Sequence, residues 1–204
     1  MSPSRFRLRR VFKRPIARLA APLADRGFRP NTVTYFSVLV AIVSFLLLLV
    51  LGSEPIYGFV IFVVGVLDGL DGAIARLSDR STDRGAFLDS VIDKVSEGII
   101  LLAVAFHLQG RIILGLQSEI WVILCTMGWL LTSYTRSRAA SLQVEDLDIG
   151  LGARSERIFA LFLFSLVSQV DWGIVFVTML GLLTAGYRYH HYSGELQARD
   201  EPTQ

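Results

Sequence analysis

Residues 35–52, YFSVLVAIVSFLLLLVLG, contain no charged side chain. At about 1.5 Å per residue a helix over this stretch crosses most of the roughly 30 Å apolar core of a bilayer. The basic flank before it imitates a signal peptide, but the apolar run is too long for that role and further apolar segments follow. We therefore expect it to be retained, with the mature chain starting near Met1. Composition points the same way. The 204 residues are 52% hydrophobic and only 19% charged, with a mean hydropathy of +0.52, a balance that a soluble domain of this length could not hide from water. The one cysteine, Cys125, lies in an apolar stretch, which excludes disulfides and cysteine metal sites.

Working outward from this span, the pattern predicts an all-α integral membrane protein with six transmembrane helices, at 33–52, 55–77, 84–108, 117–138, 155–170 and 172–190. The charges fit this topology. The outer loops 53–54, 109–119 and 168–172 hold a single base, Arg111, whereas the inner side collects Arg76, Arg80, Arg84, Arg136, Arg138, Arg154, Arg157, Arg188 and Arg199. Both termini are thus expected in the cytoplasm. Residues 1–30 form a basic juxtamembrane segment, in which Arg5, Arg7 and seven further bases alternate with Phe6, Leu8, Val11, Phe12, Ile16 and Leu19. This predicts an amphipathic helix lying on anionic headgroups, bent or restarted at Pro15. Residues 31–193 make the six-helix membrane domain, and 194–204 a mobile cytoplasmic tail.

The chemistry is concentrated in residues 66–98, VLDGLDGAIARLSDRSTDRGAFLDSVIDKVSEG, which set Asp68, Asp71, Asp89 and Asp93 in two otherwise apolar helices. Each such carboxylate costs roughly 2.5–3.5 kcal/mol to insert. At about 100° per residue, Asp68, Asp71, Gly72 and Ala75 share one face with Arg76 at its edge, and Asp89 and Asp93 lie one turn apart on the next helix. A short connection makes the two helices antiparallel neighbours, so the acids meet near the cytoplasmic surface. Four carboxylates cannot stay ionised together in low dielectric without cations, and an all-oxygen donor set favours Mg²⁺ or Mn²⁺. A dinuclear site is expected. Gly72 and Gly85 let a diphosphate approach the backbone. A divalent-cation transporter would also explain the acids, but it leaves the glycines and Arg76 without a role and needs a polar path through the outer halves, where only His107 offers one.

The pattern Asp68-x2-Asp71-Gly72-x2-Ala75-Arg76-x8-Gly85-x3-Asp89-x3-Asp93 resembles, at every fixed position, the signature of the CDP-alcohol phosphotransferase family, as do Pro30-Asn31-Thr32-Val33-Thr34 before the first span. The resemblance implies that Asp68, Asp71, Asp89 and Asp93 hold two metal ions, that Asp93 also serves as general base, and that Gly72, Ala75, Arg76 and Gly85 surround a CDP-lipid. It also implies a homodimer; no nucleic-acid partner is expected.

For the acceptor, residues 133–139 (SYTRSRA) and 152–157 (GARSER) look like segments of the branch that transfers to inositol phosphate. That likeness assigns Ser133, Arg136, Arg138, Arg154 and Arg157 to the acceptor's phosphate, a role suited to guanidinium groups. Anchoring at the membrane surface would account for some of these arginines equally well. The chain departs from the branch at Ala140, where Glu is expected, and at Gln143, near a usual Gly. Inositol 1-phosphate is the favoured phosphorylated polyol and glycerol 3-phosphate the competing one. Glu97 continues the Asp89–Asp93 face as a candidate supporting residue.

Overall fold

The computed structural model describes residues 8–147 and 149–200; Arg5, Phe6, Arg7 and residues 201–204 lie outside them. Seven helices follow in order: α1 (Leu8–Asp25), α2 (Pro30–Leu51), α3 (Glu54–Leu77), α4 (Asp83–His107), α5 (Ser118–Ser141), α6 (Arg154–Leu166) and α7 (Val170–Asp200). Between α4 and α5 a small antiparallel hairpin pairs β1 (Ile112–Ile113) with β2 (Leu116–Gln117). Its turn uses positive φ at Leu114 and Gly115, 51° and 79°, the backbone twist that a two-residue hairpin loop requires.

Local chemistry sets the helix ends. Pro30 opens α2, where its missing N–H is harmless, and left-handed Gly52 closes it by donating its N–H to Leu48 O at 3.0 Å. Thr82 caps α4, its hydroxyl accepting the Gly85 N–H at 3.0 Å.

The interior is built from Tyr57, Ile61 and Val64 of α3, Ile100 and Val104 of α4, Trp129 of α5, Leu161 of α6 and Ile174 and Val177 of α7, all buried. Small residues allow the closest approaches. A Cβ on Gly58 would stand 2.7 Å from Ser165 Cβ of α6, and one on Gly128 would stand 3.0 Å from the Leu182 nitrogen of α7. The Thr132 hydroxyl, 2.7 Å from Gly128 O, also reaches Gly181 O at 3.0 Å and ties α5 to α7. Such small-residue seams are how helices pack where lipid removes the hydrophobic drive between them.

Large apolar side chains cover the outside: Leu39, Leu46 and Val50 on α2, Phe59 on α3, Phe106 on α4, Ile123 on α5 and Leu183 on α7 are exposed. A belt of this kind belongs in hydrocarbon rather than water. Among the described residues three helices, α2, α3 and α7, are long and apolar enough to cross a membrane. The other three expected spans differ from this standard for separate reasons. In α4 Asp93, Lys94 and Glu97 interrupt the apolar run, whereas in α5 the uncharged stretch 120–135 is diluted by Thr126, Thr132, Ser133 and Thr135. Helix α6 has 13 residues, about 20 Å at 1.5 Å per residue, not the 155–170 expected. It stops because Ser168 turns left-handed (φ 55°), and the N–H groups of Ser168 and Gln169 close on Ser165 O and Phe164 O.

Helix α1 is one continuous helix through Pro15 and Pro22, without the restart expected at Pro15. Pro15 is exposed, so the carbonyl that its ring leaves without a donor faces solvent. Ile16 and Ala20 pack on Leu70, Ala73 and Ile74 of α3, while Lys13, Arg14 and Arg18 stay exposed. At the other terminus α7 runs on to Asp200, through most of the segment expected as a mobile tail. There the Arg199 guanidinium reaches Gln143 O at 2.9 Å and Leu142 O at 3.3 Å, supplying donors to the open end of α5.

Candidate active site

Helices α3 and α4 run antiparallel and bring their acids together at the end of the bundle that also holds the start of α2 and the start of α6. Ligand oxygens of Asp68, Asp89 and Asp93 lie within 4.8 Å of one another. Asp71 is set slightly apart. It is 4% exposed, and its Oδ2 accepts the Thr34 hydroxyl of α2 at 2.6 Å. Asp71 and Asp89 nevertheless face one cavity of about 180 Å³, whose wall also includes Gly72, Ala75, Arg76 and Gly85. The four aspartates and the four residues expected around the nucleotide therefore form one continuous site, with Pro30, Asn31 and Thr34 completing the wall from α2.

Arg154, the first residue of α6, reaches into the acids: its Nη1 contacts Asp68 Oδ1 and lies 2.7 Å from Asp93 Oδ1, while its Nε is 3.3 Å from Glu97 Oε1. Arg157, one turn on and 1% exposed, sets Nη2 3.7 Å from the same Glu97 oxygen and stacks 4.7 Å above the Trp129 ring centroid. Buried donors remain on both arginines. Nη2 of Arg154 and Nε and Nη1 of Arg157 have no hydrogen-bond partner among the described residues. Such atoms are costly unless an anionic ligand meets them.

The remaining acceptor candidates lie on α5. Ser133, half-buried, is one turn beyond Trp129 and bonds back to its carbonyl at 3.2 Å. Arg136 falls on the same side and is exposed. Arg138 does not join them. It sits about 180° round α5 from Trp129, is exposed, and turns its Nη1 to Ser141 Oγ at 3.3 Å on its own helix.

Arg188, counted from the sequence only among the inner-side bases, is 3% exposed. Its Nε donates to Ile149 O at 3.0 Å and its Nη1 to Thr132 O at 2.6 Å. The Gly152 N–H donates to Thr184 Oγ1 at 3.0 Å. These contacts fasten the α5–α6 connection to α7 and so fix where α6, and with it Arg154, begins. The left-handed turn that starts this connection falls on Gln143, at φ 58°, which explains the preference for glycine near this position. Thr34 entered from the sequence only as part of the stretch before the first span, without its role as donor to Asp71, although a hydroxyl four residues after a helix-opening proline was its signal.

The donor set fits hard divalent cations: three carboxylates converge within reach of one ion, and a fourth faces the same cavity. Arg154, lying against Asp68 and Asp93, shows that this group already draws positive charge.

Residues 28–185 match the CDP-alcohol phosphatidyltransferase family. An archaetidylinositol phosphate synthase of Pyrococcus horikoshii is 31% identical over 191 residues, which span 94% of this chain and 97% of that protein. The fold is shared with crystal structures of Mycobacterium tuberculosis phosphatidylinositol phosphate synthase. The one with CDP-DAG bound has a TM-score of 0.73 at 24% identity, covering 88% of this chain and 94% of that one. The complex with manganese and citrate has a TM-score of 0.74 at 22% identity, covering 87% and 88%. Fold, exposed apolar belt and matches together make this a transferase of phospholipid synthesis built into a membrane. The chain belongs to the CDP-alcohol phosphatidyltransferase family.

Proposed function

We propose that this enzyme transfers the diradylglycerol phosphate group of a CDP-lipid to inositol 1-phosphate, releasing CMP. The observation that carries this reading is the position of Arg154, which stands with a buried donor unsatisfied against Asp68 and Asp93, the acids that converge on Asp89 in the wall of the cavity of Gly72, Ala75, Arg76 and Gly85. A donor diphosphate in that cavity and an acceptor phosphate on Arg154 and Arg157 would meet at Asp93. The relatives support both halves, one named for synthesis of an inositol phosphate lipid and the other binding CDP-DAG.

In this reading Gly72 and Gly85 give the diphosphate access to the backbone, and Arg76 and Ala75 line its cytidine side. Arg154 and Arg157, with Ser133 and Arg136 from α5, hold the acceptor's phosphate. A hydroxyl oxygen of the acceptor then forms a bond to the lipid-side phosphorus, and the bond from that phosphorus to the CMP oxygen breaks. CMP leaves with the electron pair, and the hydroxyl proton passes to the Asp93 carboxylate. Two Mg²⁺ or Mn²⁺ ions held by Asp68, Asp71, Asp89 and Asp93 would neutralise the diphosphate and the leaving CMP. The manganese in the M. tuberculosis relative supports that choice.

Helices α2 to α7 form six membrane passages with both termini and the site on the cytoplasmic side, a reading that the one-sided arginines support. The functional unit is a homodimer.

The test is CMP release by detergent-purified protein given CDP-lipid and Mn²⁺ or Mg²⁺ with inositol 1-phosphate, glycerol 3-phosphate, serine or free inositol. Release with inositol 1-phosphate alone, abolished by EDTA and restored by Mn²⁺, is the expected result. Release with glycerol 3-phosphate instead would overturn the acceptor and keep the reaction. No release with any acceptor would overturn both.

A further inference from the structure

Glu97 is 3% exposed on α4, one turn beyond Asp93, among residues that a membrane helix would normally keep apolar. Three cations converge on its carboxylate. Oε2 takes Lys94 Nζ at 2.7 Å, and Oε1 faces Arg154 Nε at 3.3 Å and Arg157 Nη2 at 3.7 Å. We infer that Glu97 is a positioning residue for the acceptor: it holds Arg154 and Arg157 by one edge each and leaves their remaining donors to bind a phosphate monoester.

The argument rests on the proposed reaction and on competition between carboxylates. Arg154 already contacts Asp68 and Asp93. A guanidinium facing only those two acids would settle on them, where the donor's cations also belong. Glu97 supplies a third acid, outside the aspartate group, that draws the Nε edge away. Arg157 is set by the same oxygen from below and by the Trp129 face at 4.7 Å. Hence the two guanidinium groups share one fixed point on α4 although both come from α6. Among the described residues Arg154 Nη2 and Arg157 Nε and Nη1 have neither a hydrogen-bond partner nor an ion pair, whereas Arg154 Nε and Nη1 face carboxylates at ion-pair distance without hydrogen-bond geometry.

Charge agrees with this arrangement. When four aspartates balance two dications, Lys94, Arg154 and Arg157 set against Glu97 leave a surplus of two positive charges, the complement of a phosphate monoester near its second ionisation. An uncharged polyol would leave that surplus unmatched.

The experiment uses the full chain in detergent and the substitution Glu97→Gln. Calorimetry on the Mn²⁺-loaded protein without CDP-lipid reads the Kd of inositol 1-phosphate, and CMP release reads the KM of each substrate. The acceptor's Kd and KM should rise about tenfold or more, with the CDP-lipid KM held within about twofold. In the Arg154→Gln, Arg157→Gln background the same change should add less than about twofold, since a residue acting through those arginines has nothing left to position. An unchanged acceptor Kd, or equal losses for donor and acceptor, would overturn the inference and leave a general structural role. If Glu97→Gln does not fold, Glu97→Asp carries the test: its shorter reach should raise the acceptor Kd about threefold and spare the donor, and an unchanged acceptor Kd would again overturn the inference. Failure of the functional reading looks different, because the unaltered protein would then neither bind inositol 1-phosphate nor release CMP with it.

Discussion

Replacing Glu54 by alanine should loosen the bundle without touching its chemistry. Glu54 opens α3 at the end opposite the aspartates and is 9% exposed. Its Oε1 meets His107 Nε2 of α4 at 3.0 Å, and its Oε2 accepts the Val170 N–H of α7 at 2.9 Å. Alanine would strand that N–H on a fully buried residue and leave the imidazole without its partner. Each orphaned group costs about 1–3 kcal/mol, so the loss comes to about 2–6 kcal/mol. At roughly 2–4 °C per kcal/mol for a chain of this length, the unfolding midpoint should fall by about 4–24 °C. Tryptophan fluorescence on detergent-solubilised protein, scanned at one fixed rate because such unfolding is often irreversible, would read the midpoint. Along α3 the substitution is about 21 Å from Asp68 at 1.5 Å per residue, so both substrate KM values should stay within about twofold. Glu54→Gln keeps an acceptor for Val170 and should lose about half as much. A midpoint within about 2 °C of the unaltered protein would refute the reasoning about buried partners. A shifted donor KM would refute the separation of the two ends.

Four further substitutions probe the site and the packing. Asp93→Asn should lower turnover by about 10²–10⁴-fold while CDP-lipid affinity changes little, as measured by CMP release and equilibrium binding; normal turnover would remove Asp93 as the base. Arg154→Gln should raise the acceptor KM by about 10- to 100-fold, the loss of a charge-assisted phosphate contact, and an unchanged KM would discard the phosphate pocket. Gly128→Leu forces a side chain into the Leu182 backbone, whereas Gly98 has open space around it. The first should lower the thermal midpoint by an amount equivalent to about 1–3 kcal/mol or more and Gly98→Ala should not; equal midpoints would contradict the α5–α7 seam.

What could be read from the sequence follows from the range of the interactions. The aspartates were legible because spacings of three and four residues fix a helical face and because acids in an apolar run need a cation. The start of α6 was legible to within a residue, expected at 155 and found at 154, but Arg154 and Arg157 themselves entered through likeness to a known segment rather than through their spacing. Arg138 misled because likeness to a segment does not say how a helix is rotated, and two residues beyond Arg136 the side chain is on the other face. The short α6 depends on a left-handed Ser168, a conformation that its residue type does not announce. Glu54 fell in an outer loop and His107 stood as a lone polar residue in the outer halves, and only the meeting of α3, α4 and α7 makes them partners. Arg188 was hidden in the same way, because its acceptors are backbone carbonyls at positions 132 and 149.

Those backbone contacts bear on why the acids can exist in the bundle at all. Carboxylates on α3 and α4 are tolerable only beside positive charge, and the guanidinium that touches Asp68 and Asp93 comes from α6 rather than from their own helices. Helix α6 is short and starts after an irregular connection, so the position of Arg154 depends on whatever holds that connection. Arg188 and Thr184 of α7 do so, through Ile149 O and the Gly152 N–H, while Arg188 also grips α5 at Thr132 O. A chain of direct contacts thus leads from α7 through the α5–α6 connection to Arg154 and the acids. The signature carried by α3 and α4 specifies the ligands, but the guanidinium that touches two of them is delivered by the last third of the chain.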